Sequence, residues 1–189
     1  MIDTLCDQVL EENAAVACFY FDFAAQEEQS PAAILGSVLK QLVGGLDEVP
    51  ERIVKAFQER AKVVGGRALV LAEIIEFLKD FSSSRRTFIC IDALDECQAG
   101  HRAKLLDSLN QILRGSPGTR IYLTGRPHIR GEVEKHLAMM AVTRSIKPTK
   151  DDIVIFLRAK LREDTIPEAM DGSLEEEIMR NIPEIGSEM

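Results

Sequence analysis

The chain has 189 residues, 46% apolar and 29% charged, a composition that excludes disordered and fibrous proteins. Its length suits one domain of ordinary size, able to bury roughly 70% of its unfolded surface. Thirty-one acids against 23 bases give a net charge of −8, which argues against a nucleic-acid partner, since that function needs a basic face.

Residues 2–12 are predicted to be helical, with Ile2, Leu5, Val9 and Leu10 on one side. Ala15 to Phe23 is nearly continuous in apolar character and reads as the first strand. Ser30-Pro31 then supplies an N-cap and a first-turn proline for a helix whose buried face is Ile34, Leu35, Val38, Leu39, Leu42 and Val43. Gly44-Gly45 ends that helix. A second helix starts near Pro50 and places Ile53, Val54 and Phe57 inward. Gly65-Gly66 breaks the chain before a third, which carries Leu71, Ile74, Ile75, Leu78 and Phe81.

The strand ending at Asp92 comes next, then a helix with Leu105, Leu106, Leu109, Ile112 and Leu113. The turn Gly115-Ser116-Pro117-Gly118 leads into a strand over Arg120 to Thr124. A short helix around Ile129 to His136 and a strand near Val142 to Ile146 follow. Thr149-x-x-Asp152 forms a capping-box variant opening a helix with Ile153, Phe156, Leu157 and Leu161. Ser173-x-x-Glu176 opens a last helix, on which Glu175, Glu176 and Glu177 read as a solvated face. Strands alternating with helices imply a doubly wound, mainly parallel, three-layer α/β sheet.

Cys6, Cys18, Cys90 and Cys97 form no C-x-x-C pair, and the bland reading is a reduced, cytoplasmic setting. Residues 1–13 lack a basic segment of the secretory type, and the longest uncharged run, Gln29 to Leu39, is too short for a membrane span. No membrane partner is therefore expected. Cys97 and His101, four residues apart, form a two-ligand metal pattern that is weak by itself. His128 and His136 have no partner pattern and read as surface residues.

The run from Thr87 to Asp92 reads as a buried parallel strand that delivers an acid to the carboxyl edge of the sheet, where α/β proteins bind ligands. Asp92 there has two readings: Mg²⁺ coordination, directly or through water, at a nucleotide's phosphates, or a strand-end acid capping the next turn. Asp95 and Glu96 also have two. Either acid is placed to orient a water attacking a terminal phosphate, or both are N-cap and first-turn acids of the following helix. Thr124 ends a strand at the same edge, and Arg126 after it either senses a terminal phosphate or pairs with Asp92 or Asp95. Asp92 and Asp95 are one residue too far apart for a haloacid-dehalogenase-type phosphatase. A helicase reading lacks both a phosphate loop and a basic groove.

Together these residues resemble a NACHT domain, the signal-transducing NTPase module of the STAND class. The nearest likeness is to the nephrocystin-type N-terminal NACHT modules common in fungal proteins, often ahead of ankyrin or other repeats. Phe88 to Glu96 looks like that family's Walker B region, and Tyr122 to Pro127 like its sensor region, where many relatives carry Ser in place of Gly125. Cys18 to Phe23 with Gln29 to Leu42 resembles its second strand and following helix. Arg144 to Leu161 resembles the segment that leaves the NTPase core.

The resemblance implies roles for each position. Asp92 would hold Mg²⁺, Thr124 would lie with it at the cofactor, Asp95 or Glu96 would orient the water, and Arg126 would sense the γ-phosphate. It also implies Mg²⁺ with ATP or GTP, a switch for oligomerisation, and self-association or contact with repeat and effector domains. By this likeness residues 1–147 are the NTPase core and 148–189 begin a helical domain. The runner-up is a non-catalytic interaction or scaffold domain that retains the fold.

Gly-x-x-x-x-Gly-Lys-Ser/Thr occurs nowhere in the 189 residues. Family order places that loop just before the helix over residues 2–12, so the chain is expected to start inside the helix following it. The family's sheet order, 5-1-4-3-2, then leaves the strands ending at Phe23, Asp92 and Thr124 as a contiguous ladder. The strand near Val142 to Ile146 would either close beside Arg120 to Thr124 or leave an apolar edge open. Without the loop's backbone donors and lysine, the chain alone is expected neither to bind ATP tightly nor to hydrolyse it.

Overall fold

A computed structural model describes residues 14–61, 68–137, 140–163 and 172–188, in two compact units, Met1–Val142 and Thr143–Met189. The helix expected over residues 2–12, Cys6 and the Gly65-Gly66 break lie outside the described residues.

The first unit is built on a three-stranded parallel sheet in the order β1 (Ala15–Tyr20), β2 (Thr87–Asp92), β3 (Thr119–Leu123). The register pairs Tyr20 with Asp92 and Ile91 with Leu123, so all three strands finish at one edge. Helices flank the sheet: α1 (Pro31–Gly44), α2 (Glu51–Ala61) and α3 (Leu71–Ser84) precede β2, and α4 (Ala99–Gly115) precedes β3. α5 (Arg130–Leu137) packs on α4. The incomplete α/β fold with a parallel sheet and flanking helices expected from the sequence is observed.

Local chemistry explains most boundaries. Ser30 caps α1 by accepting the Ala33 N–H at 3.2 Å, with Pro31 in the first turn and Gly45 at the end. β1 is shorter than expected. It stops at Tyr20 because Asp22 accepts the Ala24 N–H at 2.9 Å and turns the chain into a short 3₁₀ segment, Phe23–Ala25. Periodicity also misplaced Phe57 in α2, which is 55% exposed, whereas Ile53 is buried as expected.

The core lies against one face of the sheet. Ile34, Leu35 and Val38 of α1, Leu78 of α3, and Leu105, Leu106, Leu109 and Ile112 of α4 are fully buried with Ile89 and Ile91 of β2. On the other face Arg86 stands 5.8 Å over the Phe88 ring, which stacks on Tyr122 at 6.4 Å between centroids. The outer edge of β1 is covered by a side chain. Gln41 of α1 accepts the Cys18 N–H at 2.9 Å and donates to the Cys18 carbonyl at 2.8 Å, filling the place of a neighbouring strand.

The strand expected near Val142 to Ile146 is absent. Residues 141–149 form neither strand nor helix, and Val142 and Ile146 are 89% and 91% exposed. The β-branched Val142, Thr143 and Ile146 have no ladder to join, and such residues form a strand only where a neighbour supplies the hydrogen bonds. Thus neither expected fate, closure beside β3 or an open apolar strand edge, applies.

The second unit contains α6 (Lys150–Arg162) and α7 (Gly172–Glu188), packed together, with Lys150 Nζ 3.1 Å from Glu184. The capping box at Thr149 and Asp152 is present in both directions, at 3.2 and 2.8 Å. The Thr149 hydroxyl, then its backbone N–H, holds the Asp152 carboxyl below its ordinary value. Phe156, one of the apolar residues that mark α6 in the sequence, is 60% exposed. Ser173 is the second residue of α7, inside the helix. No helix among the described residues is long and apolar enough to cross a membrane.

Candidate functional site

β2 ends at Asp92, and the next residue, Ala93, turns the chain with φ 55° and ψ 44°. This left-handed conformation costs an L-residue about 1–2 kcal/mol, so surrounding contacts must hold it. Two visibly do. Leu94 is fully buried, and its N–H donates to the Thr124 carbonyl at 2.9 Å. The reversal leaves Asp95 and Glu96 on a 3₁₀ turn, Leu94–Glu96, at the carboxyl edge.

The loops after β2 and β3 are joined side chain to backbone. The Thr124 hydroxyl donates to Asp92 Oδ1 at 2.5 Å and accepts the Ala93 N–H at 3.0 Å. Asp95 Oδ1 accepts the Arg126 N–H at 3.1 Å, and its Oδ2 lies 3.4 Å from the Arg126 Nε. The Asp95 side chain is only 9% exposed, whereas that of Arg126 is 77% exposed. The structure thus brings Asp92, Thr124, Asp95 and Arg126 together, and of the two pairings open to Arg126 it shows the one with Asp95. Glu96 lies beside them on the turn, half-buried, and its carboxylate has no hydrogen-bond or ion-pair partner among the described residues.

The acids are not caps of the following helix. Gln98 is the N-cap of α4, without a side-chain cap bond, and the first turn of α4 holds no acid. Their position must be explained by the turn itself. Gly125 is part of that explanation, because a Cβ there would stand 2.7 Å from Ile129 Cδ1 and 3.4 Å from Asp95 Oδ1.

Three supporting residues escaped sequence reasoning. Gln26 Nε2 donates to the Glu96 carbonyl at 2.7 Å. The Arg102 guanidinium donates to the carbonyls of Asp95 at 3.3 Å and Cys97 at 2.9 Å, and pairs with Glu132 at 2.7 Å. A cation in the opening turns of a helix works against the helix dipole, and that is the signal that could have marked Arg102. Nothing in the pattern marks Gln26 or Glu132.

Among the described residues no three His, Cys, Asp or Glu side chains gather as a metal-ligating group. The site at Asp92 offers one carboxylate beside one hydroxyl. These are hard oxygen donors, and they suit a Mg²⁺ ion that keeps most of its waters and takes its remaining ligands from phosphates. Cys97 is buried, and burial pushes its thiol up to about 11. His136 is not a bare surface residue, since its Nδ1 meets Asp107 at 2.6 Å. Two hollows flank Arg52 and Phe77 between α2 and α3, and neither is lined by the sheet-edge residues.

The family model for the nephrocystin 3 N-terminal region matches residues 1–126, a span that ends on Arg126 and takes in all five residues of this edge. No curated protein matches the chain.

Proposed function

The chain belongs to the nephrocystin 3 N-terminal family, and from that premise we propose that it is part of a NACHT-type nucleoside-triphosphatase module that couples nucleotide state to assembly. One observation carries the reading: two loops of adjacent parallel strands meet at the carboxyl edge through Asp92 with Thr124 and Asp95 with Arg126. That is where a doubly wound sheet binds its ligand.

Under this reading Asp92 and Thr124 would hold a hydrated Mg²⁺ that accompanies ATP or GTP. The ion, when bound, neutralises charge developing on the transferred phosphoryl group. Glu96 would orient the attacking water, because its carboxylate has no partner among the described residues whereas that of Asp95 is held by Arg126. The exposed Arg126 guanidinium would exchange its contact with Asp95 for one with the terminal phosphate. With no Gly-x-x-x-x-Gly-Lys-Ser/Thr in the sequence, this chain by itself holds nucleotide weakly and does not turn it over.

A second reading, a non-catalytic scaffold that retains the fold, is favoured by the same ion pair, since Asp95 and Arg126 already satisfy each other. An NMR titration with Mg-ATP separates the two. The NTPase reading expects small, non-saturating shifts confined to the amides of residues 92–96 and 124–126, lost in Asp92→Asn. Shifts elsewhere, or none, would favour the scaffold, and micromolar saturation would overturn the claim that a phosphate loop is required.

A further inference from the structure

The Leu94–Glu96 turn and Cys97 expose a row of carbonyls, and three in succession are held by side chains from other elements. Arg102 of α4 takes those of Asp95 and Cys97, while Gln26, from the loop after β1, takes that of Glu96. Arg102 is itself fixed. Its side chain is 12% exposed, and its Nε is bound to Glu132 of α5, which is 26% exposed. A planar guanidinium can hold a carboxylate and two carbonyls at once because its donors point along fixed directions, which an ammonium group cannot reproduce. A half-buried cation in the opening turns of a helix, where the dipole opposes it, calls for such a set of acceptors.

We infer that Arg102 and Gln26 are positioning residues that lock the acidic turn by its carbonyls and so aim Glu96 at the Asp92 edge. Neither touches the reacting atoms. Arg102 acts through the backbone of Asp95 and Cys97, with Glu132 as its anchor, and Gln26 acts through the backbone of Glu96. The functional meaning of the clamp rests on the reading of Asp92 and Glu96 given above, but its existence does not, so it is tested on the chain without nucleotide or metal.

Amide hydrogen exchange is the direct probe, because the N–H groups of Leu94, Glu96 and Cys97 are all bonded within this substructure. Arg102→Met and Gln26→Met are each expected to speed exchange at Glu96 and Cys97 by about tenfold, with Ile89 and Leu109 unchanged. Arg102→Lys, which keeps the charge and the stem, is expected to leave the turn nearly as fast as Arg102→Met. A merely structural ion pair with Glu132 would instead be restored by the lysine. Turn amides that stay at native rates in both methionine variants, or native rates in Arg102→Lys, would overturn the inference. Mn²⁺ added to the same samples tests the aim: broadening of the Glu96 amide relative to Ala93 should fall in Arg102→Met, and an unchanged ratio would contradict it. No broadening near Asp92 in the native chain would count against the metal reading, while the exchange rates alone decide the clamp.

Discussion

Removing the Asp95 carboxylate should cost far more than removing its ion-pair partner. Asp95 is 9% exposed and accepts the Arg126 backbone N–H at 3.1 Å, whereas the Arg126 side chain is 77% exposed and its Nε stands 3.4 Å away. A hydrogen bond to a charged acceptor contributes about 1.5–3 kcal/mol net, while an ion pair with so exposed an arginine contributes about 0–1 kcal/mol. Asp95→Ala is therefore expected to destabilise by about 2–3 kcal/mol, a fall in melting temperature of about 4–12 °C for a chain of this size. Asp95→Asn keeps an oxygen able to accept the N–H and should lose about 1 kcal/mol. Arg126→Ala keeps the N–H itself and should lie within about 0.5 kcal/mol of the native protein. Urea and thermal melts followed by circular dichroism give the order. Equal losses for Arg126→Ala and Asp95→Ala, or a neutral Asp95→Ala, would show that the backbone bond does not hold the two loops together.

Gly125→Ala sets a Cβ 2.7 Å from Ile129 Cδ1 and should cost about 1–2 kcal/mol by overpacking. Ile129→Val deletes that methyl, so the double variant should recover about 1 kcal/mol in a thermodynamic cycle, and strict additivity would contradict the contact. Gln41→Leu frees the edge of β1 at Cys18 and is expected to lower stability by about 1–2 kcal/mol and raise self-association in light scattering. A monodisperse, equally stable variant would refute the edge-capping role. Burial raises the Cys97 thiol from 9.0 to about 11, so its contribution is present below pH 9 and lost as pH rises through 11. Denaturant melts should lose stability across that window, and Cys97→Ala should flatten the loss; an unchanged slope would exclude Cys97 as its source.

The parallel strands and the sheet-edge acids were legible because both rest on local pattern, whereas the strand order followed from the family resemblance. An apolar run ending in an acid reads as a buried strand, and strands separated by helices must run parallel. Helix starts were legible wherever a side chain caps them, at Ser30 and Thr149. The errors arose where a neighbour decides the outcome. Residues 142–146 have strand composition but no ladder, and Phe57 has helical spacing but no opposing surface. The partners of the acidic turn were hidden for the same reason. Gln26 reaches Glu96 across 70 residues of sequence and Arg102 reaches Glu132 across 30, and no spacing rule spans such gaps.

The claim that matters most is that this edge is built to hold a hydrated cation. Mn²⁺ substitutes for Mg²⁺ and broadens NMR signals of nearby amides, so a titration of the native chain reads the site without any nucleotide. The account predicts that the amides of Ala93, Leu94, Thr124 and Gly125 broaden first, and that Asp92→Asn abolishes the effect. Broadening centred on Glu175, Glu176 and Glu177, with residues 92–96 untouched, would contradict it.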